Sequence, residues 1–185
     1  MTAVAHQPHL WSRREFERLV TSGGLQPDAR LELIDGEILD MAPQQSLHST
    51  AVRLVEDALR GAFGAGFDVR AQLPLAIDDR SEPEPDVAVV TGGPRDYRDA
   101  HPTTAVLVVE IADSSLALDR GRKLALYARN GIADYWILNL VDDCLEVYRQ
   151  PMGARYASPA VLDGGDSIAP LAQPEHPLAV ADLLP

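Results

Sequence analysis

The chain has 185 residues, 46% apolar and 24% charged, which suits one globular domain with a substantial core and excludes a disordered or fibrous polypeptide. No apolar run approaches the ~20 residues that span a bilayer. With 28 acids against 16 Lys and Arg, the net charge is −12, so the basic footprint of a dedicated nucleic-acid binder is excluded and any such chemistry must rest on a local site.

The N-terminus, "MTAVAHQPHLWSRREF", has no apolar core behind a basic start, so no signal peptide is expected. The single cysteine, Cys144, has no partner for an internal disulfide. Together these predict a cytoplasmic protein. "SRRE" from Ser12 to Glu15 matches a capping box and predicts a helix over 12–21, stopped by Gly23 and Gly24. "RLELIDGEILDM" reads as a hairpin with Asp35-Gly36 as its two-residue turn. Ala51, Leu54, Val55, Ala58 and Ala62 recur at helical spacing, predicting a helix over 46–63. "FDVRAQLPLAID" alternates from Phe67 to Ile77, predicting one continuous strand that Pro74 places at a sheet edge.

"PDVAVV" and "AVLVVEIA" are compact apolar runs, expected of strands covered on both faces. Between them "TGGPRDYRDAHPTT" is longer than a hairpin needs and is a candidate binding loop. "SSLALDRGRKLALYARNG" predicts a helix capped by Ser114 or Ser115 and ended at Gly131. "DYWILNL" and "CLEVYRQ" predict a strand pair around Asp142-Asp143, with Cys144 as a small strand hydrophobe. Short strands follow near "ASPAVL", "DSIAP" and "LAVADLL". The expected fold is a mixed α/β (α+β) protein, a mixed sheet flanked by helices.

Asp86 opens one buried strand and Glu110 closes the next. If the two strands pair antiparallel, these carboxylates converge. Oxygen ligands on a rigid sheet edge suit a hard divalent cation, Mg²⁺ or Mn²⁺, with room for water and phosphate. Without metal, the two acids repel and one pKa rises. The alternative is two solvated strand ends.

Lys123 is the only lysine among 16 Lys and Arg. Asp119, Lys123 and Tyr127 are spaced i, i+4, i+8, hence on one helix face. The bland reading is an exposed Asp119–Lys123 ion pair worth a few tenths of a kcal/mol. The sharper reading is a compact ammonium beside a phosphate, a task to which arginine is poorly suited.

The stretches "LELIDGEI", "PEPDVAVV" and "VVEIADSSLALDRGRKLALYARNGIADYWIL" resemble the Uma-type family of restriction endonucleases within the PD-(D/E)XK nuclease superfamily, over roughly 31–140. The resemblance implies a restriction-endonuclease-like core. It implies that Pro85-Asp86 is the PD motif and Glu110 the second acid. The superfamily's lysine lies two residues after that acid, where this chain has Ala112, so Lys123 on the following helix is its implied equivalent. Glu32 matches a family acid that holds a second metal or orients water. Its alternative is a plain strand-face carboxylate.

His48, near a helix start, is a candidate proton donor, and Gln72 a candidate site-lining residue. The implied function is a metal-dependent endonuclease hydrolysing DNA. Asp86, Glu110 and the Ile111 carbonyl would hold Mg²⁺ or Mn²⁺, and a homodimer would match duplex symmetry. The alternative is an idle relative that binds or regulates.

Overall fold

The computed structural model describes residues 8–25 and 30–185. In chain order these form α1 (Arg13–Thr21), a hairpin β1 (Leu31–Ile34) and β2 (Glu37–Asp40), α2 (Ser46–Phe63), β3 (Phe67–Ala71), β4 (Val87–Thr91) and β5 (Leu107–Ala112). A helical crossover follows in three pieces: α3 (Leu116–Leu118), a π-helical turn (Asp119–Lys123) and α4 (Leu124–Arg129). The chain then adds β6 (Asp134–Asn139), β7 (Cys144–Met152), β8 (Arg155–Leu162), β9 (Ser167–Ile168) and β10 (Leu178–Ala179). No helix among the described residues is long and apolar enough to cross a membrane.

Six strands form one mixed sheet in the order β3-β4-β5-β6-β7-β8. Its one parallel pair is β5–β6, because the helical crossover returns the chain in the same direction. Alternation then sorts the side chains by face. Val87, Val89 and Val109 pack with Val52, Val55 and Leu59 of α2. Ala88, Val90 and Val108 share the opposite core with Leu126 and Tyr127 of α4. Both faces are covered, which is why β4 and β5 are written as near-continuous apolar runs. Each large side chain buried this way contributes roughly 1.5–3 kcal/mol.

The Ser12 capping box on α1 is present, with Glu15 returning to the Ser12 N–H. In the hairpin, Asp35 and Gly36 both take positive φ, 55° and 80°, as a type I′ turn requires. A Cβ on Gly36 would meet Leu10 Cβ at 2.9 Å, so the N-terminal segment also needs glycine there.

Three expectations change. The strand predicted over 67–78 ends at Ala71. Gln72 takes φ 54° and its N–H donates to the Asp86 carbonyl at 3.1 Å, turning the chain off the sheet before Pro74. Leu73 is therefore left 44% exposed, while Leu75 and Ile77 are buried in the α4-side core. The crossover helix is not uniformly α: the Leu124 N–H reaches back five residues to the Asp119 carbonyl. The loop over 91–104 joins the end of β4 to the start of β5, so it lies at the opposite end of these strands from Asp86 and Glu110. There it packs on itself, with Tyr97 Oη donating to the Thr91 carbonyl and Arg70 over the Tyr97 ring.

Candidate active site

Strand register brings the two acids together. β4 and β5 run antiparallel with Val87 opposite Val109, so one further step sets Asp86 beside Glu110. The Asp86 N–H points to Glu110 Oε2 at a long 3.4 Å. Both are buried, 7% and 3% exposed, on the sheet face that α4 covers.

Asp86 is held from three elements. Its Oδ2 accepts the Ile111 N–H at 2.8 Å. Its Oδ1 lies 2.9 Å from His48 Nε2, at the start of α2, and 3.3 Å from Gln72 Nε2. The left-handed turn at Gln72 thus does local work: it ends β3 where its amide meets Asp86. This hydrogen bond to Asp86 raises the His48 pKa, against the opposing effect of burial.

Glu110 is held from the crossover. Tyr127 Oη donates to Glu110 Oε1 at 2.7 Å, and Lys123 Nζ lies 3.2 Å from the same oxygen. Lys123 Nζ also lies 3.1 Å from Glu32 Oε2 on β1. Lys123 is 4% exposed, which corrects the exposed helix position and the Asp119–Lys123 surface pair. Its two ion pairs run to Glu32 and Glu110. Asp119 instead accepts from Ser115 Oγ at 2.5 Å, so Ser115 holds an acid and makes no side-chain cap. The second Asp119 oxygen, Oδ1, is buried without a hydrogen-bond partner.

Four buried acids, Glu32, Asp86, Glu110 and Asp119, therefore surround one ammonium. Burial works against the charge on Lys123, but Glu110 and Glu32 outweigh it and hold the ammonium above its ordinary range. The excess negative charge is felt on the acids. Burial, then Asp119, Asp86 and Glu32, push Glu110 well above the usual carboxylate range, against Lys123. Burial likewise lifts Asp119 to about 6, against Lys123 and Ser115. Burial and the Glu110 charge also keep the Tyr127 hydroxyl protonated.

Among the described residues, no three His, Cys, Asp or Glu side chains are arranged as a closed ligand set for one ion. The donor chemistry nonetheless fits a hard divalent cation. It offers carboxylate oxygen in excess of its cations, and one carboxylate oxygen is unpartnered. Mg²⁺ commonly takes only one or two protein carboxylates and fills the rest with water and phosphate. The acids open on a cavity of about 410 Å³.

All eight residues singled out from sequence meet at this point. Asp86, Glu110, Lys123, Glu32, His48 and Asp119 line the cavity. Gln72 and Tyr127 stand behind it on Asp86 and Glu110. Sequence reasoning missed the Ile111 N–H as the anchor of Asp86, and missed the backbone N–H of Glu84, 3.4 Å from Glu32 Oε2. It also missed Ser115 as the partner of Asp119, although their i, i+4 spacing was a readable signal.

No curated protein matches the chain. A solved structure described as a "putative nuclease belonging to DUF820" from Anabaena variabilis ATCC 29413 superposes with a TM-score of 0.73 at 18% identity, over 93% of this chain and 96% of that one. That likeness shows a shared fold. The family described as "Uma2: Putative restriction endonuclease" matches residues 13–181. That span runs from α1 through the acid cluster to the turn after β10, and the chain accordingly belongs to the Uma2 family.

Proposed function

We propose that the chain is a metal-dependent endonuclease that hydrolyses DNA phosphodiester bonds. The observation that carries this reading is the cluster of four buried acids around one buried lysine at the floor of a cavity. Asp86 and Glu110 would hold Mg²⁺ or Mn²⁺, which when bound supplies Lewis acidity toward the phosphate and a more acidic water.

The chain's own residues do the rest. In the hydrolysis a water oxygen bonds to phosphorus, one P–O ester bond breaks, and the proton lost by water ends on the departing oxygen. Lys123 offsets the charge that builds on the phosphate oxygens, in a buried setting where one ammonium counts most. Glu32 keeps that ammonium charged and aimed. Tyr127 fixes the Glu110 carboxylate, and the Ile111 N–H and Gln72 fix Asp86. His48 Nε2 is engaged by Asp86, which favours a positioning role for His48 over proton donation.

The test is plasmid DNA incubated with purified protein in Mg²⁺, Mn²⁺ or EDTA. Cleavage should require metal and fall by about 10²–10³-fold or more in Glu110→Gln, a loss typical of one preorganised electrostatic group. Metal-independent cutting, or equal activity in the variant, would remove the cluster from the chemistry. Specific DNA binding without cutting would favour an idle member of the fold.

A further inference from the structure

The cavity lining combines two chemistries. Its floor is the acid cluster with Lys123. Beside that cluster the lining includes apolar side chains, Leu39, Met41 and Pro43 from the end of β2 and the segment leading to α2 and Ala117 and Leu118 of α3, with the acids Asp40 and Asp113 among them. Gln44 and Gln45 complete the α2 side. At about 410 Å³ the space falls in the ~300–1,000 Å³ range of small-ligand pockets.

Charge decides what polynucleotide this cavity accepts. Binding a duplex through its backbone takes several Lys or Arg contacts to phosphates on two strands. Of the described residues lining the cavity, six are acids and two are cations. Lys123, one of the two, is already paired to Glu32 and Glu110, which leaves Arg30 for a further phosphate. A paired base also stays inside its stack, where a pocket of this size cannot receive it.

Resting on the nuclease reading, we infer that the substrate is unpaired DNA. One nucleotide of a single strand enters the cavity, with its phosphate at the acid floor and its base among these apolar side chains. The Gln44 and Gln45 amides offer donors and acceptors to the polar edge of that base, as glutamine does elsewhere with adenine. No Phe, Tyr or Trp is among the described lining residues, and the His48 ring is engaged by Asp86, so recognition here is the seating of one base and not stacking along a run of bases. An unpaired strand needs one site, without the symmetric pair that cutting both strands of a duplex asks for.

The experiment uses one end-labelled DNA strand in three forms: alone, fully paired, and paired except for a short central loop. In Mg²⁺ or Mn²⁺ the single strand and the loop should be cut at least about tenfold faster than the paired form, with cuts inside the loop. In Ca²⁺, fluorescence anisotropy should give the single strand at least about tenfold tighter binding than the duplex, and Met41→Trp, which fills the cavity, should abolish that preference. Equal or faster cutting of the duplex, equal binding of the two forms, or an unchanged preference in Met41→Trp would each overturn the inference. Absence of cutting on every form would sink the nuclease reading alone, because the anisotropy comparison still decides whether unpaired DNA is the ligand.

Discussion

The same sheet buries acids in two places, and it treats them differently. Toward β6 and β7, Asp134 is fully buried, yet its Oδ1 accepts from Trp136 Nε1 at 2.7 Å and Arg149 Nε at 2.8 Å, while its Oδ2 accepts the Leu171 N–H at 2.8 Å. Glu146 on β7 accepts from Arg120 Nη2 at 2.6 Å and Arg120 Nε at 3.0 Å, with Tyr148 Oη at 2.6 Å and Asn139 Nδ2 at 3.0 Å. Each of these acids has its own arginine. Burial works against the Glu146 charge, but those donors hold its carboxyl below the usual range. Toward β4 and β5, four acids share one lysine, an oxygen of Asp119 has no partner, and Glu110 is pushed up. The π-helical turn serves both places, sending Arg120 to Glu146 and Lys123 to Glu110. Matched acids are what a fold needs to bury charge. Unmatched acids at a cavity are what a fold tolerates where a cation or phosphate is to bind.

That contrast breaks if both places respond alike to losing a charge. Asp134→Asn should lower stability by about 3–5 kcal/mol, since it strands Arg149 beside an uncharged partner. Asp119→Asn should do the reverse without divalent metal. Its carboxyl sits at about 6 in the fold, above its ordinary 3.8, so ionisation at pH 7.5 opposes folding, and the amide should raise stability by about 1–2 kcal/mol. Urea denaturation of both variants checks this, and loss of stability in Asp119→Asn would end the distinction.

Glu82 sharpens it, being an unmatched buried acid away from the cavity. Its Oε2 lacks a partner, and burial, then Glu17, lift it to about 7 from 4.5, with Arg13 opposing. A carboxyl raised in the fold favours the native state while protonated, and that advantage is lost as pH rises from about 4.5 through 7. Glu82→Gln should therefore match the wild type near pH 4 and exceed it by about 2–3 kcal/mol at pH 8, followed by thermal melting across that range. A pH-independent difference would assign Glu82 a packing role only.

The smallest expected effect lies inside the site. On the proposed metal site, Lys123 Nζ and the cation would both draw on Glu110 oxygen, so Lys123→Met should tighten Mn²⁺ binding about tenfold, roughly 1.4 kcal/mol, by titration calorimetry. Unchanged or weaker binding would mean that the ammonium and the metal do not compete.

Much of this was legible in the chain. Apolar runs at Val87–Val90 and Val106–Ile111 gave buried strands, Asp35-Gly36 gave the hairpin, and antiparallel pairing of two short strands was enough to bring Asp86 to Glu110. Lone-lysine usage singled out Lys123. What was not legible depended on contacts from distant segments. The burial of Lys123 follows from Glu32, 91 positions earlier in the chain, and the break at Gln72 follows from its bonds to Asp86. Period-2 alternation continues through Leu73 and Ile77 regardless, because apolar residues return to a different core.

The π-helical turn carries a consequence for comparing relatives. It accommodates one residue more than an α-helix would over the same span, so α3 and α4 are out of phase, by roughly the 100° that one α-helical residue turns. Lys123 stands thirteen positions after Glu110 in this chain. A relative with an uninterrupted α-helix would need one position fewer to deliver its ammonium to the same oxygen. The spacing from acid to lysine is thus an elastic ruler, and a gap of one residue inside this helix marks a change of winding with the chemistry kept in place.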